Sequence, residues 1–140
     1  MAETGVKAVD VSGMGGTHWG RVEGYRSHEM DVLYKVAQTF ADWGISTVDS
    51  VLAAKEAQVP YEIWASGGVR NGLDVAKLIA LGAKMVGLAQ PFLEAALQNE
   101  KTSDQALEEL VQKLELELKI ALFCTGCRNI KDLQTKMVVQ

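Results

Sequence analysis

Ile63-Trp64-Ala65-Ser66-Gly67-Gly68-Val69-Arg70-Asn71-Gly72-Leu73-Asp74 is the stretch on which the reading of the fold turns. A short apolar run enters it, adjacent glycines turn the chain, an arginine follows, and Asn71 is placed to cap a helix opening near Gly72. Glycine admits backbone conformations and close approaches that a Cβ blocks. A helix start presents unpaired N–H groups and the positive end of a dipole. Together these describe a site for an anion, most often phosphate, to which Arg70 adds a charge-assisted bond. The same residues also describe a plain strand-to-helix turn with a surface arginine, and locally the two readings stand side by side.

Working outward, Pro60 leads into a strand near Glu62 to Ala65. The helix after the turn runs from about Gly72 to Leu81, with Leu73, Val75, Ala76, Ile79 and Ala80 as its stripe and Gly82 as its stop. A third strand, Met85 to Leu88, follows. Ala89-Gln90-Pro91 then opens another helix with proline in its first turn, and its amide end is a further phosphate donor. That helix ends before Asn99-Glu100-Lys101. Upstream, Gly5 to Val11 reads as a strand, apolar enough for a parallel strand covered on both faces. It runs into Ser12-Gly13-Met14-Gly15-Gly16-Thr17-His18-Trp19, a second glycine-rich loop. Such a loop suits a backbone approaching a ligand, with the Thr17 hydroxyl as donor, or one that is merely flexible.

Residues 20 to 43 mix charge and aromatics, and from Met30 the spacing of Leu33, Val36, Ala37 and Phe40 predicts a helix whose apolar stripe faces a core. Trp43-Gly44-Ile45 breaks it. Ser46-Thr47-Val48-Asp49 is a capping box with a shorter acid, opening a helix through about Ala57 that buries Val48, Val51 and Leu52. A second box, Thr102 with Gln105, precedes the longest helix, striped by Leu107, Leu110, Val111, Leu114, Leu118 and Ala121. Glu109–Lys113 and Glu115–Lys119 are spaced as exposed ion pairs on it. Asn129 to Leu133 predicts one last helical turn before a loose tail.

The chain of 140 residues is read as a single domain, 1–140, large enough for a real core. A hydrophobic fraction of 48% and a net charge of −4 fit an ordinary soluble protein and argue against general nucleic-acid binding. No apolar run approaches the ~20 residues that span a bilayer. The N-terminus lacks the basic start and apolar core of a secretory signal, so the expected location is cytoplasmic. Cys124 and Cys127 form a Cys-Thr-Gly-Cys unit, a spacing found in redox pairs and zinc half-sites. With His18 and His28 far away in sequence, the reading is two reduced thiols around a helix-ending glycine.

Strand, helices, strand, helix, strand, helices is an alternating α/β order, implying parallel strands and right-handed crossovers. Three strands do not close a barrel, and an eight-stranded (β/α) barrel takes ~250 residues. The chain is therefore either a small open α/β sheet or the last part of a barrel.

Ser66 to Lys77, Leu81-Gly82-Ala83 and Gly87 to Leu93 resemble the flavin-phosphate half of the FMN-dependent (β/α) barrels. Val9 to Trp19, Trp43 to Thr47 and Leu122 to Ile130 narrow the resemblance to type 2 isopentenyl-diphosphate isomerase, of which the chain resembles the C-terminal portion. The fold this implies is α/β, a partial (β/α)8 TIM barrel made of about the last three β/α units. The activity it implies is interconversion of isopentenyl and dimethylallyl diphosphate in isoprenoid biosynthesis, with FMN reduced by NADPH, and magnesium. By the same resemblance Thr17 contacts FMN, the turn Gly67, Gly68, Val69 and Arg70 holds its phosphate, and Ala89 and Gln90 complete the cup.

Several positions depart from the family pattern. His18 stands where a smaller polar residue is usual and is read as a surface histidine in a mobile loop. Gln90 replaces a common arginine, removing a charge near the phosphate. Trp19 is open to packing or flavin stacking, and Glu23 reads as a solvated carboxylate. The family's magnesium-binding acid and substrate-gripping residues have no counterpart here, so no catalytic and no metal residue is assigned, and the chain alone is expected to be inactive. Two alternatives accompany this reading: a non-catalytic fragment that folds and forms a homo-oligomer through its sheet edges, and a piece of a 2-hydroxy-acid-oxidase-like FMN barrel.

Overall fold

A computed structural model describes residues 5–28, 31–98 and 103–136. Its centre is a sheet of three parallel strands in the order β1 (Ala8–Asp10), β2 (Glu62–Ala65), β3 (Met85–Val86). Val9 lies beside Ile63, Asp10 beside Trp64, and Trp64 in turn beside Met85. Successive side chains alternate between the faces of a strand, and here the alternation separates a covered face from an open one.

The covered face carries Val9, Val11, Ile63, Ala65 and Val86. Against it pack α3 (Thr47–Glu56) and α4 (Gly72–Leu81), burying Val51, Ala65, Val69, Leu78, Leu81 and Ala83 in one cluster. A fully buried side chain such as Val51 contributes roughly 1.5–3 kcal/mol. The opposite face carries the row Asp10, Trp64, Met85, with Trp64 37% and Met85 54% exposed. The expectation that the first strand is covered on both faces is thus corrected: among the described residues, helices cover only one.

The bounds of α4 follow from local chemistry. Asn71 caps it, accepting the Asp74 N–H at 2.8 Å, and Gly82, at φ 124°, ends it. Outside α4 lies α6 (Ser103–Cys124), and Ala76, Ile79, Ala80, Ala121 and Leu133 form a second cluster between them. The helices cross closely at Gly72, where a Cβ would strike the Leu114 carbonyl oxygen and the Glu117 side chain. The Thr102 part of the expected capping box lies outside the described residues. Of the expected pairs, Glu115–Lys119 forms at 3.0 Å, whereas Lys113 turns toward Glu117 at 3.8 Å and Glu109 takes a bond from Gln105.

The C-terminal end of α6 is a two-bond glycine stop. Gly126, at φ 65°, donates to the Phe123 carbonyl and Cys127 to the Leu122 carbonyl. Both cysteines are free thiols, and Cys127 packs on the second cluster. Asn129 then caps α7 (Ile130–Leu133), whose Leu133 is only 2% exposed and pins this segment to the core.

Between β1 and α3 stand α1 (Trp19–Arg26) and α2 (Val32–Thr39). They pack on one another, with Gly24 against Ala37 and Tyr25 edge-on to Tyr34 at 6.5 Å. The periodicity of α2 is as read, but its stripe is not buried. Leu33 is 70% exposed, and Val36 and Phe40 are nearly half exposed, while Ala37 faces Gly24 of α1. Met30 lies outside the described residues. α5 (Gln90–Ala96) follows β3 and packs on α6.

Candidate functional site

The three strand ends point the same way, as parallel strands must, and their loops meet at one end of the sheet. The loop after β1 and the turn after β2 are interlocked backbone to backbone. A Cβ on Gly67 would strike the Gly13 carbonyl oxygen, and one on Gly68 would sit 2.5 Å from the Gly15 carbonyl oxygen. Gly67 (φ 99°) and Gly68 (φ 76°) also lie in the left-handed region that side chains avoid. The glycines of the first loop were read as suited to approaching a ligand or as merely flexible, and Gly13 and Gly16 do line the cavity described below. In the structure their close neighbours are the second loop and α3: Gly15 and Gly16 lie on Gly67 and Gly68, and Gly13 lies on the Thr47 backbone.

Polar side chains fasten this junction. Asp10, at the tip of β1, accepts the Ser12 N–H at 3.0 Å and the Ser66 hydroxyl at 2.8 Å, tying the first loop to the second. Ser12 is held at φ 41°, a conformation costly for a residue with a Cβ and sustained here by that bond. Thr47, 6% exposed in the first turn of α3, donates its hydroxyl to the carbonyls of Ser66 (3.1 Å) and Gly67 (2.7 Å). With both carbonyls turned toward Thr47, the following N–H groups are directed elsewhere. Among the described residues, those of Gly67, Gly68 and Val69 are donated to no acceptor.

At the start of α4, read from the sequence as an anion-binding helix end, three of the backbone donors already have partners. Arg70 N–H goes to the Asp74 carboxylate at 3.1 Å, Gly72 N–H to Glu117 at 2.7 Å, and Asp74 N–H to Asn71. Two carboxylates already occupy the positive end of the dipole. Donors without acceptors among the described residues include those of the glycine turn ahead of the helix and, across the cavity, those of Ala89 and Gln90.

These loops enclose a cavity of about 750 Å³, within the ordinary range for a ligand site. Thr17, Gly67, Gly68, Val69, Arg70, Ala89 and Gln90 all line it. Every residue named from the sequence as a cofactor contact is therefore brought to one hollow, although Thr17, Gly68 and Ala89 come from three separate strand ends. Arg70 is exposed and its guanidinium rests on its neighbour's carbonyl, that of Val69, at 3.2 Å. Gln90 gives its amide to Glu94 along α5, so its side chain is engaged with its own helix.

The opposite wall is α1, which contributes Trp19, Arg21, Val22 and Tyr25. Trp19 is 77% exposed and packs on no core. His18 is a helix cap, its Nδ1 accepting the Arg21 N–H at 3.2 Å, with Nε2 3.3 Å from the Trp43 carbonyl. That fixed role replaces the expected mobile surface histidine. Glu23 pairs with Arg26 in solvent. Among the described residues the cavity wall carries Arg21, Arg70 and His18 and no aspartate or glutamate, in a chain of net charge −4. A pocket free of carboxylates in an acidic protein favours an anion.

Asp10, Thr47, Ser66 and Glu117 received no role from the sequence. An acid at the tip of an otherwise apolar strand was a visible signal for Asp10. Nothing local marks Glu117, which acts 45 residues from its partner.

The whole chain, residues 1–140, matches the FMN-dependent dehydrogenase family, and it belongs to that family. Its relatives narrow the kinship. An isopentenyl-diphosphate delta-isomerase of Bdellovibrio bacteriovorus is 65% identical over 140 residues, which is 100% of this chain and 39% of that protein. The corresponding isomerase of Legionella pneumophila (strain Corby) is 53% identical over 132 residues, 94% of this chain and 37% of that one. The chain thus spans less than two fifths of the length of the curated relatives it matches. Among solved structures, a flavocytochrome b2 variant with sulfite bound matches 94% of this chain and 29% of its own, with a TM-score of 0.66 at 25% identity. A mandelate oxidase variant with 2-hydroxy-phenylacetamide matches 68% of this chain with a TM-score of 0.51. These neighbours are barrel flavoenzymes, and the three parallel β/α units are part of a (β/α)8 barrel.

Proposed function

We propose that this chain supplies the FMN-phosphate cup of an isopentenyl-diphosphate delta-isomerase. The observation that carries the reading is the turn at Gly67, Gly68 and Val69: three N–H groups without acceptors among the described residues, opening on a cavity that holds cations and no carboxylate. Backbone donors fixed by Thr47 and Asp10 need no reorganisation to receive a phosphate, and Arg70 swings from the Val69 carbonyl to add a charged donor. Thr17 and the Ala89–Gln90 turn meet the cofactor from the flanking loops. Trp19 and Tyr25 wall the cavity on the side of α1. When bound, FMN reduced by NADPH supplies the proton addition and removal that moves the double bond, and the protein supplies binding and orientation. The substrate is a small isoprenyl diphosphate.

Magnesium belongs to the reading of the complete barrel. Among the described residues no group of three or more His, Cys, Asp or Glu side chains is arranged to hold a metal, and no magnesium ligand is assigned. Isomerase is preferred over a 2-hydroxy-acid oxidase because identity is 65% to an isomerase and 25% to the flavocytochrome.

Titration with FMN, read by quenching of flavin fluorescence, tests the cup. Binding should be competed by inorganic phosphate and weakened in Arg70→Ala. Failure to bind at about 1 mM FMN, where an interaction of ~4 kcal/mol would register, removes the cofactor role from this chain.

A further inference from the structure

We propose that His18 is a positioning residue for the cavity: its neutral Nε2–H form fastens α1, and with it the wall carrying Trp19, Arg21 and Tyr25, and uptake of a proton releases that wall. The two bonds of the ring fix its form. A backbone N–H only donates, so the Nδ1 that faces the Arg21 N–H at 3.2 Å carries no proton. A carbonyl only accepts, so the Nε2 that lies 3.3 Å from the Trp43 oxygen carries one. The Nε2–H tautomer alone satisfies both partners. An imidazolium donates from both nitrogens. It keeps the Trp43 bond but sets a second N–H against that of Arg21, and the cap is lost.

Little else among the described residues holds this end of α1. The helix contains Gly20 and Gly24, has no acid in its first turn, and packs on α2. The α1–α2 pair hangs from two stems, pinned where the Met14 N–H meets the Ile45 carbonyl at 2.7 Å, and His18 to Trp43 is a second tie between them. The common caps, Ser, Thr, Asp and Asn, still accept a hydrogen bond between pH 5 and 8, whereas histidine ordinarily changes charge in that interval. No carboxylate is in place to hold the cation. Arg21 and Arg70 share the cavity wall with His18, and the charged residue of α2 is Lys35. Glu23 pairs with Arg26, Asp42 precedes Trp43 in sequence, and among the described residues no acid makes an ion pair with His18. A positive charge at the first turn also destabilises a helix through its dipole. Proton uptake is thus coupled to loss of the cap and to release of α1 from its place over the cavity.

The release of α1 stands on these bonds alone, and its effect on flavin rests on the cup proposed above. Long-range proton–nitrogen spectra of the imidazole at about pH 7.5 should show Nε2 protonated and Nδ1 bare. The hydrogen-exchange protection factor of the Arg21 amide, which is corrected for the intrinsic effect of pH, should fall about fivefold or more between about pH 7.5 and 5.5. His18→Asn keeps an acceptor at every pH, so its Arg21 protection should hold across the interval, and His18→Ala should be low throughout. FMN affinity is read as the ratio of the wild-type chain to His18→Asn, because the FMN phosphate itself changes charge near pH ~6 in both. That ratio should fall about threefold or more on acidification. An Nδ1–H tautomer, or unchanged Arg21 protection in the wild-type chain, overturns the proposal, as does an equal loss in His18→Asn. A ratio that stays flat or rises in acid overturns it too, a rise meaning that the imidazolium meets the ligand directly. If no FMN binds at any pH, the cup is refuted, and the Arg21 protection decides this inference by itself.

Discussion

Replacing Gly68 by alanine tests the interlocked loops most directly. Gly68 sits at φ 76°, and placing an L-residue there costs roughly 1–2 kcal/mol. The added methyl also meets Gly15 oxygen, carbonyl carbon and Cα at 2.5, 2.6 and 2.8 Å. All are backbone atoms that no rotamer change removes, so a further ~1–3 kcal/mol of overpacking is expected. Gly126 supplies the control, because it has φ 65° and nothing within 4 Å of its would-be Cβ. Gly126→Ala should therefore lose about 1–2 kcal/mol and Gly68→Ala about 2–5 kcal/mol, read from urea midpoints at constant m-value. In thermal melts, at roughly 4 °C per kcal/mol, the two separate clearly. Equal destabilisation by both substitutions would refute the interlock, because it would mean that the Gly15 backbone moves aside freely.

Three further substitutions probe the same architecture. Thr47→Val keeps shape but removes the hydroxyl that holds the Ser66 and Gly67 carbonyls, so stability should fall by about 1–3 kcal/mol in chemical denaturation, with a matching loss of FMN affinity. Arg70→Ala removes an exposed side chain and should leave stability within about 0.5 kcal/mol while weakening FMN and phosphate binding by roughly tenfold or more, as measured by calorimetry. Leu133→Ala should cost about 2–5 kcal/mol despite its place near the end of the chain, because that side chain fills the cluster between α4 and α6. A change within 0.5 kcal/mol would mean that α7 is not anchored.

Where the fold was legible, the signals were local. Asn71, Gly82 and the run around Ile63 delimited α4 and β2 because a cap, a left-handed glycine and a strand of alternating cover act within a few residues. α1 left no such trace. It contains Gly20 and Gly24 and has no apolar stripe, and its support is the His18 cap and the fit of Gly24 to Ala37, visible only once α2 is in place. For α2 the period was readable and the cover was not, since spacing reports which side is apolar without saying what lies against it. The cavity residues were legible as glycine-rich strand ends. What fixes those ends, Thr47 to Gly67 and Glu117 to Gly72, spans 20 and 45 residues and is written in no local pattern.

The long outer helix α6 has a mechanical consequence. It packs on both α4 and α5, and the segments that lead into those helices, at Val69–Arg70 and Ala89–Gln90, form two lips of the cavity. At Gly72 there is no spare room for α6 to slide, and Glu117 is clamped to the first turn of α4. A helix that contributes no residue to the cavity wall thus works as a brace holding the lips at a set gap. Loosening its seat far from the chemistry would change the aperture before it changed any contact inside.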